Sequence, residues 1–258
     1  MVDSLHIGIF QYDICWKDIT ANFRKIESLL AGLKELPDIL FLPEMYSTGF
    51  VMEPDKLDHK LLTGQPSKQL TLSDKYRLAI MGSLVFPEEN HYYNRMVLSD
   101  AQGSMDFYDK RHLFMEENKR GLFKAGAKRK TFLVRGVEIM PQICYDLRFP
   151  VWSRNNLNYQ VLVYSANWPE VRQEVWDTLL RARAIENQCY VVGINRVGVD
   201  GNGISYKGGS VVYSPKGESM LNIEDEENYS SITISLSSLS AFREKFPVYK
   251  DADSFTID

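Results

Sequence analysis

Apolar residues along the chain fall into two alternating patterns. The continuous runs "LHIGIFQ" (5–11) and "DILFLPE" (38–44) predict strands buried on both faces, the second stopped by a proline. Between them Ile19, Phe23, Ile26, Leu29, Leu30 and Leu33 recur every three or four positions, which gives one face of an amphipathic helix. A helix around "PSKQLTLSDKYR" (66–77) then precedes the strand "LAIMGSLVF" (78–86). "NRMVLSD" and "GSMDFYD" flank a turn at Ala101–Gln102–Gly103 and predict a hairpin; "TFLVRGVEIMPQIC" predicts another, turning at Arg135–Gly136. "QVLVYSAN" (160–167) reads as a strand, and residues 171–188 carry Val171, Val175, Leu179, Ala182 and Ile185 on one helical face. "YVVGINRVG" and "GGSVVYSPKGES" follow as strands, the latter turning at Pro215–Lys216–Gly217.

Apolar strands separated by amphipathic helices predict an α/β protein whose sheets are covered by helices, and the hairpins make those sheets mixed. No Gly/Ser/Pro-rich linker or shift in composition divides the chain, so one domain spanning residues 1–258 is expected. The 44% hydrophobic and 25% charged composition suits a globular protein with a large core. A net charge of −4, with both signs mixed along the chain, gives no electrostatic reason to expect nucleic acid or an anionic membrane. Cys15, Cys144 and Cys189 have no CxxC spacing, which argues against a disulfide framework and a zinc cluster and fits a reducing compartment. The start lacks a basic segment, and the run at 78–86 is too short to span a bilayer. A cytoplasmic protein is expected.

Three polar residues stand where strand-like runs end. Glu44 closes "ILFLPE", Lys110 closes "MDFYDK" and Cys144 closes "VEIMPQIC". Strand ends in helix-covered sheets are common places for ligand sites. Taken singly, each has a plainer reading: a helix N-terminal residue, a solvated charge and an inert core thiol. Together they supply what acyl transfer from an amide needs: a nucleophile, a proton-transferring carboxylate and a cation for the developing oxyanion. A thiol–histidine pair is the competing arrangement, and His112, near the Lys110 turn, is its one serious candidate. No GxSxG is present, and "VGVDGNG" (197–203) reads as a turn rather than a phosphate loop.

"FLPEMYSTGF", "YDKRHLF" and "CYDLRFPVWSR" resemble, in order and approximate spacing, the three catalytic motifs of the nitrilase, or carbon–nitrogen hydrolase, superfamily. "YSANWP", "RARAIENQCYVVGINRVGVDGNG" and "SPKGE" resemble its later segments, and the ending "REKFPVYKDAD" is most similar to a bacterial omega-amidase branch. The resemblance implies a four-layer α-β-β-α sandwich with two mixed sheets. It also implies a homodimer or higher homo-oligomer, with a tail from about residue 240 to 258 packing at the dimer. By position it implies Glu44 as general base, Lys110 as oxyanion stabiliser and Cys144 as nucleophile, with no metal or cofactor. The Tyr145 backbone N–H is implied as a second oxyanion donor. Many members carry a further glutamate after the lysine motif. Counting back from "KAG" (124–126) puts that place on Lys119, with Glu116 and Glu117 slightly earlier, and leaves the second acid open.

The branch implies a small ω-monoamide of a dicarboxylic 2-oxo acid, such as 2-oxoglutaramate, as substrate. Arg148 has two readings: a carboxylate clamp, since guanidinium forks match carboxylates, or a structural ion pair supporting the Cys144 turn. Tyr46, Phe114 and Trp168 flank the motifs as pocket walls or as core packing. Hydrolysis of an N-carbamoyl amine or a nitrile by the same three groups is the alternative enzyme reading. A catalytically silent scaffold is the non-enzyme one, disfavoured because all three motif residues are present.

Overall fold

The computed structural model describes residues 2–256. In chain order the elements are β1 (Ser4–Gln11), α1 (Ile19–Gly32), β2 (Ile39–Phe41), α2 (His59–Thr63), α3 (Gln65–Tyr76), β3 (Ala79–Glu88), β4 (His91–Ser99), β5 (Met105–Asp109) and α4 (Met115–Lys119). They continue with β6 (Phe132–Val134), β7 (Val137–Ile143), α5 (Pro150–Ser153), β8 (Val161–Ser165), α6 (Gln173–Asn187), β9 (Tyr190–Ile194), β10 (Val197–Val199) and β11 (Ser205–Lys207). Last come β12 (Ser210–Tyr213), β13 (Ser219–Ile223), β14 (Asn228–Ser235) and α7 (Leu236–Lys245).

Two six-stranded sheets carry the fold, in the orders β14-β1-β2-β3-β4-β5 and β13-β12-β9-β8-β7-β6. Each has a parallel trio at its centre, β1-β2-β3 and β7-β8-β9, flanked by antiparallel strands. The sheets are therefore mixed, as the hairpins predicted. Residues on alternate faces of β8 show how the layers stack. Val161 and Val163 point into a cluster shared with Ile7, Ile9, Phe41 and Met81 of the opposite sheet, while Leu162 and Tyr164 pack outward against Trp176 and Leu180 of α6. The outer face of the first sheet is covered by Ile19, Phe23, Ile26 and Leu30 of α1 and Leu72 of α3. The result is the four-layer α-β-β-α sandwich.

Helix α1 begins where Asp18 accepts the Ala21 N–H at 2.9 Å, an N-cap that supplies an acceptor to the open first turn. Helix α6 departs from the periodicity reading. Its buried face is Trp176, Leu180, Ala184 and Asn187, whereas the predicted Val171 and Ile185 are 87% and 49% exposed. One position along a helix turns a side chain about 100°, and Trp176 and Leu180 win the core because they fill the space over Gly193. A Cβ at Gly193 would meet Leu180 Cδ1 at 2.4 Å. "YVVGINRVG" is not one strand; it breaks at Asn195–Arg196 into β9 and β10, and β10 pairs with β11 around the expected turn. The sequence reading assigned no element to β14 or α7, which pair with and cap β1.

Candidate active site

Five strands deliver the site from their carboxyl ends. Glu44 follows β2, Lys110 follows β5, Cys144 follows β7, Asn167 follows β8 and Asn195 follows β9. Ser165 Oγ donates to the Leu42 carbonyl at 2.9 Å, which ties the two sheets together beneath them. Cys144 itself sits at φ 44°, in the left-handed region that non-glycine residues rarely occupy. Such strain persists only where the surroundings over-determine it. Buried Asp146 does so here. Its carboxylate accepts the Ile143 N–H (3.0 Å), the His112 N–H (3.0 Å) and the Tyr108 hydroxyl (2.8 Å), and it lies 2.7 Å from His112 Nδ1. The nucleophile turn is thereby bonded to the lysine turn. His112 is occupied in this bridge and stacks on Phe149 at 3.8 Å, so the thiol–histidine arrangement is not what forms. Asp146→Ala would strand several donors in the interior, at a cost of about 2–4 kcal/mol. Thermal unfolding is expected to drop by roughly 5–10 °C; an unchanged Tm would contradict this bridge.

Glu44 is fully buried. Its Oε1 accepts from Lys110 Nζ at 2.8 Å and Asn94 Nδ2 at 2.7 Å, and its Oε2 accepts the Asn167 N–H at 2.9 Å. Lys110 Nζ also donates to Glu117 Oε2 at 2.7 Å. The second carboxylate bonded to Lys110 is therefore Glu117, one of the two glutamates left open beside the count that fell on Lys119. Helix α4 turns Glu117 inward, where it also accepts Asn94 Nδ2 (2.9 Å) and the Phe114 N–H (2.7 Å), and it leaves Lys119 exposed. Gly126 secures the lysine from the other side by donating its N–H to the Lys110 carbonyl at 2.8 Å. A Cβ there would stand 2.1 Å from the Asp109 carbonyl oxygen, so only glycine allows the approach.

The electrostatics follow from this packing. Burial pulls the Lys110 ammonium down, but Glu117, Glu44 and Cys144 outweigh it and hold its pKa above the ordinary lysine value. Burial also raises the Glu117 carboxyl; Lys110 opposes this and Glu44 adds to it. The Cys144 thiol is pushed well up by burial and then by the Glu44 charge, against the lysine's pull. Burial and the Glu44 charge thus favour the neutral thiol of Cys144 over its thiolate. Its Sγ lies 3.9 Å from the Asn167 carbonyl oxygen.

Lys110 and Cys144 open into a pocket of about 240 Å³, walled by Phe50, Phe114, Tyr145, Trp168, Ile204 and Tyr206. That is smaller than the ~300–1,000 Å³ of drug-sized sites and suits a small substrate. Of the residues expected there, Phe114, Tyr145, Arg148 and Trp168 line it. Tyr46 does not: it is a fully buried core residue whose hydroxyl donates to Gln69 Oε1 at 2.9 Å. Arg148 has no ion-pair partner among the described residues; its guanidinium lies over the Trp168 ring at 5.2 Å. Sequence reading missed Arg172, also in the pocket and also without an acid among the described residues, with its guanidinium 5.6 Å from the Phe114 ring centre. It missed Asn94 and Asn167 as well. Each is a lone amide in a strand or strand end, and only the three-dimensional neighbours reveal it. No group of three His, Cys, Asp or Glu side chains among the described residues is arranged to hold a metal ion.

Residues 6–244 match the carbon–nitrogen hydrolase family. The chain is 41% identical to the omega-amidase YafV of Escherichia coli K12, over 98% of this chain and 99% of that one. It is 32% identical to the 2-oxoglutaramate amidase of Bacillus subtilis, over 95% and 96%. The crystal structure of XC1258 from Xanthomonas campestris, a CN-hydrolase superfamily protein with an arsenic adduct in its active site, superposes with a TM-score of 0.94 at 36% identity, covering both chains fully. With its sandwich, its strand-end site and this full-length similarity, the chain belongs to the carbon–nitrogen hydrolase family.

Proposed function

We propose that the protein is an omega-amidase, hydrolysing the terminal amide of a small ω-amido-2-oxo acid of the 2-oxoglutaramate type through a Cys144 thioester. One observation carries the substrate class. Arg148 and Arg172, neither paired with an acid among the described residues, line the same small pocket as Cys144 and Lys110. Unpaired guanidinium groups beside a reactive centre favour a substrate that brings its own carboxylate. The relatives named omega-amidase and 2-oxoglutaramate amidase support the same reading.

The reaction runs in two halves. Glu44 takes the Sγ proton as sulfur bonds to the amide carbon, and the carbonyl electron pair moves to oxygen. Lys110 has three N–H bonds, two of which go to Glu44 and Glu117. The third is left for the pocket that Lys110 lines and, with the Tyr145 N–H, meets the oxyanion; each well-placed donor contributes about 3–4 kcal/mol. Collapse breaks the C–N bond, the nitrogen keeps the electron pair and takes the Glu44 proton, and ammonia leaves. Glu44 then deprotonates water, which attacks the thioester; the C–S bond breaks, and sulfur recovers its proton. Glu117 holds Lys110 in place throughout. Homodimer assembly and a cytoplasmic setting belong to this reading on family resemblance alone.

Ammonia release from 2-oxoglutaramate, succinamate and butyramide tests the substrate class. Remote binding energy from the carboxylate helps place the carbonyl near sulfur, so its loss should lower kcat as well as raise KM. Arg148→Ala and Arg172→Ala should each cost about 10–100-fold in kcat/KM on 2-oxoglutaramate, the worth of a charged hydrogen bond. Equal kcat/KM for butyramide and 2-oxoglutaramate would refute the carboxylate pocket. N-carbamoyl amines and nitriles in the same panel separate the alternative chemistries.

A further inference from the structure

One buried polar atom at the site has no hydrogen-bond partner among the described residues. Asn167 is 4% exposed and lines the pocket. Its backbone N–H donates to Glu44 Oε2 at 2.9 Å, its side-chain Nδ2 donates to the Glu44 carbonyl at 2.6 Å, and its own carbonyl lies 3.9 Å from Cys144 Sγ. The remaining atom, Oδ1, accepts from none of the described residues. The orientation of the amide is fixed by chemistry, because only Nδ2 can donate to a carbonyl; a flipped side chain would set two oxygens against each other. An orphaned buried acceptor is costly, and native proteins keep few of them. One beside a general base and a nucleophile calls for a ligand with a donor to offer.

We propose that Asn167 Oδ1 accepts an N–H of the substrate carboxamide, holds the leaving nitrogen beside Glu44, and so selects amides over esters. A primary amide presents two N–H donors at the nitrogen that Glu44 must protonate; an ester presents an oxygen with none. A site built around a hydrogen bond rejects analogues that lack the donor, because the protein group is then left buried and unpaired. The same bond persists as the nitrogen becomes ammonia, and it keeps the nitrogen lone pair turned toward the Glu44 proton. Asn167 thus works at the leaving group, while Lys110 and the Tyr145 N–H work at the oxygen. The assignment rests on the amidase reading of the site but not on the identity of the acyl chain.

The test compares amide and ester hydrolysis by the native protein and by Asn167→Leu, which keeps the side-chain size and removes both polar atoms. The substrates are 2-oxoglutaramate and the ω-methyl ester of 2-oxoglutarate. Both activities fall, since the bond to the Glu44 carbonyl is lost as well. The amide should fall by at least tenfold more, so that the amide-to-ester ratio of kcat/KM collapses. An equal fall in both would make Asn167 a support for Glu44 alone and overturn the proposal, as would an amide activity that survives unchanged. Asn167→Ala carries the same comparison if the leucine variant does not fold. If the native protein ignores 2-oxoglutaramate, the substrate reading fails, and the ratio is then read on succinamate with monomethyl succinate, or butyramide with methyl butyrate.

Discussion

Cys144→Ala is expected to release no ammonia from any amide in the panel while folding as the native chain does. In the proposed reaction the sulfur forms the covalent bond to substrate, and among the described residues no other thiol and no serine or threonine hydroxyl lines the pocket. The cost to the fold is small, because the side chain is half-buried and its polar contacts are few, a 3.9 Å approach to the Asn167 carbonyl and a hydrogen bond with Glu44. Alanine also meets the same left-handed backbone that cysteine tolerates, so no new strain is added. The covalent step has its own signature. Acid quench during turnover should leave one acyl group on the native chain, mapped to residue 144, and none on the variant. Cys189 cannot substitute: it is fully buried, and burial pushes its thiol up to about 12. An alanine variant that still turns over would end the thioester mechanism.

The strand ends that deliver the site were readable because buried parallel strands announce themselves as continuous apolar runs that stop abruptly. "ILFLPE" and "VEIMPQIC" need no tertiary information to mark Glu44 and Cys144 as edge residues. What surrounds them was not readable, for particular physical reasons. The second glutamate stayed open, and the count fell on Lys119, because counting along a loop assumes an extended chain, whereas α4 puts residues 117 and 119 some 200° apart on a short helix. Tyr46 looked like a pocket wall because it lies two residues beyond Glu44. Yet Met45 takes φ 43°, and the tyrosine ends beneath the site on Gln69. Asn94 lies in the middle of β4, where a strand pattern says nothing of a side-chain amide; its two N–H bonds bridge Glu44 and Glu117 only because two distant turns converge on it. The missed strand β14 has another cause. "NYSSITIS" buries one residue fully, Ile234, and its polar remainder carries little hydrophobic signal.

Glu117→Gln is expected to lower kcat by about 10²–10³-fold, in the range of a lost acid–base or electrostatic partner, with a much smaller change in KM. The reason lies in the partners. Lys110 Nζ, Asn94 Nδ2 and the Phe114 N–H all donate to this carboxylate. A glutamine offers one acceptor oxygen and one NH₂, so whichever way it turns a donor faces a donor. Either the lysine or the asparagine must give way, and both also hold Glu44. Substrate binding, which the proposed function assigns to Arg148 and Arg172, is touched less. Lys110→Met is a poorer test because it strands two buried carboxylates and destabilises the fold. The three groups share one set of hydrogen bonds, so Glu44→Gln combined with Glu117→Gln should cost far less than the two losses added in free energy. Steady-state ammonia release by the two single variants and the double variant measures this. Additive losses would mean that Glu44 and Glu117 act separately. A Glu117→Gln variant with most of its kcat would return the glutamate to a purely structural role.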